Sequence, residues 1–266
     1  MLNRQEIIKA IEDHHWDYEE EWIPSYIETI EEAGLKAVKN PRMHNELSNK
    51  VVEFSFKNDA MMEEKWNEAK DFFGDIPFSL WLEKDQSSRL SPFLEKDGYH
   101  ITDKYDGVAF LLQQYKKVTS SSNENIEYIE VKDDEEIRKL VEVSSLIWGY
   151  PVEQQDSIFR QRKSYISSPY SNGGYILGMK AGRPAAYSNY RFSSDGRTMY
   201  LNGSGVLPEF RHQGVYSDMV RFRLEHANSK GAELATCQAR EGHSSPVLKK
   251  LGFQSYSTYD YWVYNR

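Results

Sequence analysis

The sequence predicts a protein of the α/β (α+β) class with two related domains. In residues 126–266, segments rich in β-branched and aromatic residues alternate with segments of helical periodicity. Residues 91–99 resemble residues 245–253 at an offset of 154, which indicates a duplicated unit. A chain of 266 residues also exceeds a typical single domain, so two cores of roughly 120 to 140 residues are expected.

The N-terminal half, residues 1–118, opens with a predicted helical arm from Asn3 to Gly34. The arm carries apolar residues spaced for burial against the rest of the chain, namely Ile7, Ile8, Ile11, Trp22, Ile23, Tyr26, Ile27 and Ile30. After the arm, Val51–Phe56 predicts a strand and Ala60–Phe73 predicts a helix. The polar residues 119–125 predict a linker to the second domain.

The C-terminal half, residues 126–266, has an unbroken series of predicted elements. Strands are expected at Ile126–Val131, Gly174–Met179, Arg183–Phe192, Thr198–Val206, Glu233–Ala239 and within Phe253–Tyr264. Helices are expected at Asp133–Trp148, at Glu153–Ser167, from Tyr216 to the Lys230-Gly231 stop, and between Ser245 and Gly252. The last of these is short, with Ser245 predicted as its N-cap and Pro246 as its first residue.

Residues Val206–Met219 combine the end of a strand, a tight turn and the start of a helix. Their sequence is Val-Leu-Pro-Glu-Phe-Arg-His-Gln-Gly-Val-Tyr-Ser-Asp-Met. The first turn of a helix has unpaired N–H groups and roughly half a positive charge, and Gly214 lets a ligand come close to the backbone. The segment therefore predicts a phosphate site. The alternative is an ordinary strand–turn–helix with an incidental glycine.

The motif Arg211-x-x-Gly214-x-Tyr216 resembles the Arg/Gln-x-x-Gly-x-Gly/Ala signature of the GNAT superfamily of N-acetyltransferases. The predicted element order of residues 126–266 is also that of the GNAT fold. The resemblance implies that each domain is a mixed, mostly antiparallel central sheet flanked by helices. In that family the turn binds the pyrophosphate of acetyl-CoA, the co-substrate. Tyr216 departs from the signature, since a small residue is usual there, and narrows the space beside the phosphates.

The resemblance also assigns residues to acetyl-CoA. The turn residues implied to bind it are Arg211, His212, Gln213, Gly214, Val215, Tyr216 and Ser217, and the strand residues implied to hold the thioester are Ser204, Gly205 and Val206. Residues 51–78 contain no Arg-x-x-Gly turn. The N-terminal half is therefore expected to be a degenerate GNAT-like domain that does not bind CoA.

The general acid of the reaction is not assigned by the motif. Many GNAT members use a tyrosine four residues before the glycine of the Gly-Phe pair, and in this chain that position is Leu248. Candidate groups near the cofactor are Tyr200, Asn202, His243, Tyr256 and Tyr259. For each there is a structural alternative, because buried tyrosines usually pack with a locally bonded hydroxyl and loop histidines are usually solvated.

Charge and composition narrow the partners. Residues 1–122 hold 24 acidic and 15 basic residues, a balance that argues against nucleic acid and, facing the cofactor, would favour a cationic amine. An acidic surface that is merely solvated explains the same balance. A single cysteine, Cys237, and the lack of a secretory segment or a long apolar run predict a cytoplasmic protein away from membranes. His14 and His15 are adjacent, and no Cys or His pair has metal-ligand spacing.

The sequence thus favours an acetyl-CoA-dependent N-acetyltransferase that acts on a primary amine of a small molecule or a protein. A catalytically weak acyl-CoA-binding regulatory protein is the alternative, since Leu248 replaces the usual acid. A CoA-free interaction module is a third interpretation. The acceptor and the oligomeric state stay open, a homodimer among the possibilities. We further expect residues 123–266 alone to bind acetyl-CoA and the face between the domains to form the acceptor pocket.

Overall fold

The computed structural model describes residues 2–16, 23, 25–56, 58–116 and 126–264, and the predicted linker lies outside them. The helices are α1 (Arg4–Glu12), α2 (Asp59–Phe73), α3 (Lys84–Lys96), α4 (Asp134–Trp148), α5 (Gln155–Ser167), α6 (Val215–Ser229) and α7 (Ser244–Lys250). The strands are β1 (Glu28–Glu32), β2 (Leu35–Lys39), β3 (Lys50–Phe54), β4 (Ser79–Glu83), β5 (Tyr99–Leu111), β6 (Glu127–Glu130), β7 (Gly173–Lys180), β8 (Arg183–Phe192), β9 (Thr198–Val206), β10 (Leu234–Arg240) and β11 (Gln254–Tyr264).

All of these strands form one continuous sheet. Its order is β1-β2-β3-β4-β11-β5-β10-β9-β8-β7-β6. Among the described strands, only the pairs β3–β4 and β9–β10 are parallel. The predicted class, a mixed and mostly antiparallel sheet flanked by helices, is confirmed.

The two halves exchange their last strands. Strand β5 ends the N-terminal half but lies between β11 and β10 of the C-terminal half. Strand β11 ends the chain but pairs with β4 of the N-terminal half. The centre of the sheet is therefore built by strands from both halves, and neither half completes its own part of the sheet alone.

Helices cover both faces of the sheet because the strand residues alternate between the two faces. On β8, Ala186 and Tyr190 pack into a core with α6 and α7, whereas Tyr187 packs into a separate core with α4. Helix α1 covers the centre of the sheet, where Ile7 and Ile11 pack against β5, β10 and β11. A further core joins α2 and α3 to β2, β3 and β4.

The predicted helical arm is shorter than expected. Helix α1 ends at Glu12, and Glu28–Glu32 form strand β1 instead of continuing the helix. Gly34 at φ +86° forms the turn between β1 and β2, which pair antiparallel. Sheet pairing therefore overrides the apolar spacing that suggested a helix here. Trp22 lies outside the described residues.

Ser245 does not cap α7. The helix begins at Ser244 with His243 at the N-cap, and the Ser245 hydroxyl donates to the Asp106 carboxylate on β5. In the N-terminal half, Ser87 of α3 likewise donates to Asp260 of β11, at 2.6 Å. Ser245 of α7 and Ser87 of α3 thus each donate to the exchanged strand that the other half supplies, and not to the terminus of their own helix.

Candidate functional site

Strands β9 and β10 separate at the centre of the C-terminal half. They pair in parallel only from Thr198 to Tyr200, the last partners being Tyr200 and Thr236. Beyond that point β9 stays paired with β8 and β10 stays paired with β5. The space between residues 201–206 and 237–240, here called the gap, is lined by backbone groups that no neighbouring strand satisfies.

The turn after β9 leads directly to the start of α6. Arg211 donates through Nε to the Val206 carbonyl at 3.0 Å, and Gln213 donates through Nε2 to the Glu209 carbonyl at 2.8 Å. Gly214 occupies the N-cap in the left-handed region, at φ +81°. No side chain caps this helix, so its first turn offers backbone N–H donors to a ligand.

The residues predicted to bind the cofactor lie along β9, the turn after it and the start of α6. Ser204, Gly205 and Val206 lie on the part of β9 that borders the gap, and a Cβ on Gly205 would lie 2.6 Å from Ile147 of α4. The rest of the set follows in the turn and in the first turn of α6, with Arg211, His212 and Gln213 exposed and Val215 buried.

Four polar side chains, here called the gap cluster, meet inside the gap. The Tyr216 hydroxyl on α6 is hydrogen-bonded to Ser204 on β9 and to Arg223, two helical turns further along α6. Cys237 on β10 lies close enough to influence the pKa of both Tyr216 and Arg223. Tyr216 therefore extends from α6 towards the space between the separated strands.

Burial controls the protonation of the gap cluster. It raises the pKa of Tyr216 to about 12, so the phenol carries its proton at neutral pH. It raises the pKa of Cys237 to about 11, so the thiol is not a thiolate nucleophile. Burial also lowers the pKa of Arg223, which is 1% exposed, yet a guanidinium stays charged in proteins.

Two of the candidate catalytic residues lie beside the gap. Tyr200 is buried on the last residue pair before the strands separate, with the Arg191 guanidinium 4.7 Å from its ring centre. Asn202 follows where the β8–β9 register shifts, and its buried side-chain oxygen has no hydrogen-bond partner among the described residues. Tyr200, whose ring contacts that of His14, can contact an acceptor that approaches the gap from the side of α1.

The other three candidates lie elsewhere. Tyr256 and Tyr259 are on β11, which β5 and β10 separate from β9. Tyr259 packs against α1 and its hydroxyl is bonded to Ser257 at 3.0 Å. His243 is exposed at the start of α7. Leu248, which stands where a tyrosine acid is usual, is fully buried in the core, so α7 brings no acid to the gap.

The structure adds a residue pair that the sequence analysis set aside. The ring of His14 lies 5.4 Å from the ring of Tyr200, and His15 is bonded through Nε2 to Gln238 of β10 at 2.7 Å. Burial, and then the charges of Arg191 and Lys50, lower the pKa of His14 to about 3. The two histidines therefore place neutral imidazole rings over the β9–β10 junction. This contact between the N-terminal and C-terminal halves could not be inferred from two adjacent histidines in the sequence.

The described residues contain neither a metal-binding cluster nor a membrane-spanning helix. Among residues 2–16, 23, 25–56, 58–116 and 126–264, no three His, Cys, Asp or Glu side chains are grouped to hold a metal ion. Within the same ranges, every helix is too short or too polar to span a bilayer.

Residues 138–253 match the family model described as the acetyltransferase (GNAT) family. The whole chain also resembles solved structures. A GCN5-related N-acetyltransferase from Kribbella flavida is 18% identical with a TM-score of 0.65, over 90% of each chain. A second such protein, from Sphaerobacter thermophilus, is 11% identical with a TM-score of 0.67, over 86% of this chain and 80% of the other.

A tandem GNAT protein from the clavulanic acid biosynthesis pathway, solved without AcCoA, is 11% identical with a TM-score of 0.61, over 98% of this chain and 95% of the other. At these identities the likeness concerns the fold. Comparison with curated protein sequences finds no significant match.

Proposed function

We propose that the protein is an acetyl-CoA-dependent N-acetyltransferase that acts on a primary amine of a small molecule or a protein, a proposal supported by the match of residues 138–253 to the acetyltransferase (GNAT) family. The observation that carries this proposal is the gap, which opens beyond Tyr200 and Thr236 and ends at the uncapped start of α6. A helix start beside an opened sheet gives one ligand both a phosphate site and a channel.

Each part of the site has a role in this proposal. The backbone N–H groups of the first turn of α6 bind the pyrophosphate, and Gly214 allows the close approach. The gap takes the pantetheine arm, and the backbone of Ser204, Gly205 and Val206 holds the thioester. Arg211 supports the turn through the Val206 carbonyl and adds positive charge at its surface.

The acceptor amine approaches from the face of the sheet that carries α1. On that face Tyr200 and His14 supply polar groups at the β9–β10 junction, and Asn202 lies next to them on β9. The amine must be neutral to attack the thioester carbonyl, so these groups position it while solvent removes its proton. In this arrangement the N-terminal half completes the acceptor side, because α1 and the residues after it belong to that half.

The alternative is a catalytically weak acyl-CoA-binding protein that regulates a partner. Leu248 favours it, because a fully buried leucine in place of the usual tyrosine removes the standard proton donor. Both alternatives predict binding of acetyl-CoA, and they differ in turnover.

The deciding experiment is a screen of the full-length chain for acetyl-CoA-dependent release of free thiol. The panel contains small primary amines, aminated sugars, amino acids and peptides with free N-termini or lysines. Thiol release that requires one acceptor class, with acetylated product detected by mass spectrometry, supports the enzyme. Tight acetyl-CoA binding without turnover on the whole panel would support the regulatory alternative, and absence of binding would exclude both.

A further inference from the structure

Arg223 is a buried cation with an incomplete set of partners. It is 1% exposed, and its Nε and Nη1 atoms have no hydrogen-bond partner among the described residues. Its interactions are with the Tyr216 hydroxyl and with the field of Cys237. A buried guanidinium is normally paired with a carboxylate, because an uncompensated buried charge is costly. The uncompensated positive charge of Arg223 therefore favours a negatively charged group in the gap.

Tyr216 connects this cation to the gap. An arginine N–H can only donate, so the Tyr216 oxygen accepts from Arg223, and the Tyr216 O–H remains able to donate. The hydroxyl is hydrogen-bonded to Ser204 on β9 and lies near Cys237 on β10, on the two strands that separate. The Tyr216 hydroxyl is therefore positioned to contact a ligand that is bound between the two strands.

We propose that Tyr216, supported by Arg223, donates a hydrogen bond that stabilises the thiolate of the departing CoA, the leaving group that Leu248 cannot assist. This inference rests on the proposed acetyl-transfer function and names the group that takes the place of its missing acid. It also explains why a large residue stands at the small final position of the motif, since only a long side chain reaches the gap from the first turn of α6.

The amine nitrogen forms a bond to the thioester carbonyl carbon, and the carbon–sulfur bond then breaks with its electron pair going to sulfur. The Tyr216 O–H donates a hydrogen bond to that sulfur, which leaves as the thiolate, and the positive charge of Arg223 adds to the stabilisation. The amine loses its proton to solvent, and solvent supplies the proton that the thiolate takes up on release. No oxidant, reductant or metal ion is needed.

The test measures the pKa of the CoA thiol bound to the full-length protein, which does not depend on knowing the acceptor. Thiolate formation is followed by ultraviolet absorbance as the pH is raised, for free CoA and for the complex. In the wild type we expect the bound thiol to ionise at least one pH unit below free CoA, equivalent to a tenfold stabilisation of the thiolate. Tyr216→Phe and Arg223→Gln should each reduce that shift.

Controls separate this role from simple packing. Tyr190→Phe, which alters a buried tyrosine of the same core outside the gap cluster, should leave the thiol shift unchanged. Desulfo-CoA should bind wild type and Tyr216→Phe within about threefold, because the lost contact is to sulfur. If Arg223→Gln does not fold, Tyr216→Phe still decides the question, since it removes a single oxygen atom.

Three results would overturn the proposal. An unshifted thiol in a wild type that binds CoA would remove the role assigned to Tyr216 while leaving acetyl transfer intact. Tighter CoA binding by Tyr216→Phe without loss of the shift would show that Tyr216 merely obstructs the gap. A wild type that does not bind CoA would remove the proposed function and this inference together. With an acceptor in hand, Tyr216→Phe should also lower kcat by about a hundred- to a thousand-fold.

Discussion

Tyr105 of β5 lies directly opposite Tyr259 of β11 in their antiparallel pair. The two positions are separated by 154 residues, the same offset that relates residues 91–99 to residues 245–253. Neighbouring pairs follow the same register, with Asp106 opposite Thr258 and Lys104 opposite Asp260. An approximate two-fold axis therefore passes between the two tyrosines, and it relates the exchanged strands of the halves to each other.

The exchange predicts that the halves do not fold separately. A chain cut between residues 122 and 123 should give fragments that unfold without cooperativity alone, because β10 loses β5 and β4 loses β11. Mixing the fragments should restore a cooperative transition, measured by circular dichroism during heating. Cooperative unfolding and acetyl-CoA binding by residues 123–266 alone would restore the expectation of an independent second domain.

Ser87→Ala should destabilise the protein by about 1 to 3 kcal/mol. The Ser87 hydroxyl donates to Asp260 and accepts from the Trp262 indole N–H at 2.9 Å, and the mutation leaves both buried groups short of a partner. Urea unfolding of wild type and mutant measures the effect. Ser88→Ala, at an exposed neighbouring position, is the matched control and should change the free energy of unfolding little.

Gly214→Asp should weaken acetyl-CoA binding at least tenfold, and more than Arg211→Ala does. The new side chain puts a carboxylate where phosphate approaches the backbone, in a residue at φ +81° that only glycine adopts readily. Calorimetry of the full-length chain gives the affinities. Gly182→Asp, at φ +76° in the β7–β8 hairpin, controls for backbone strain. Equal affinity of wild type and Gly214→Asp would exclude this turn as the phosphate site.

Tyr259→Phe and Tyr256→Phe should leave kcat within about twofold of wild type, because two strands separate β11 from β9. Tyr259→Phe should still cost roughly 1 kcal/mol of stability through the lost bond to Ser257. Steady-state kinetics with the acceptor found in the screen measures both variants. A tenfold fall in kcat for either one, with cofactor affinity unchanged, would place β11 at the reacting atoms.

Acid should destabilise the protein through His14. Its pKa in the folded protein is about 3, below the ordinary 6.5, so protonation favours the unfolded chain. Stability present above pH 6.5 is therefore lost as the pH falls from there towards 3. At pH 5.5 this one group accounts for about 1.4 kcal/mol.

The His14 contribution is measured by urea unfolding at pH 7 and pH 5.5. His14→Gln should reduce the loss between the two values, whereas His100→Gln, at an exposed position on β5, should not. An identical loss in wild type and His14→Gln would show that the His14 ring becomes solvated before it is protonated.

Sequence patterns located the regular strands of the C-terminal half well. The bounds of β8 and β9 match the predicted Arg183–Phe192 and Thr198–Val206, because turn residues separate the two strands from their neighbours. In the N-terminal half, β1 was expected to be helical, and β2 and β4 were not predicted. These strands have only five residues each, and pairing with distant partners rather than local pattern fixes them.

Only the part of the candidate site that is local in sequence could be predicted. The turn from Val206 to Tyr216 is local, so its glycine and its helix start could be found from spacing. Tyr216 and Arg223 are seven residues apart and share a helix face, a signal within reach of the sequence. Their meeting with Ser204 and Cys237, and the position of His14 over Tyr200, depend on strand order and could not be deduced from spacing.

The central place of β5 has a consequence for how the protein is made. The ribosome finishes this strand at Leu111, yet its two neighbours, β10 and β11, are synthesised only after residues 112–233. Until they emerge, β5 exposes two unpaired edges, which can pair with other nascent chains. The centre of the sheet can close only after β10 and β11 have left the ribosome, so chaperones that shield β5 until then should raise the yield of native protein.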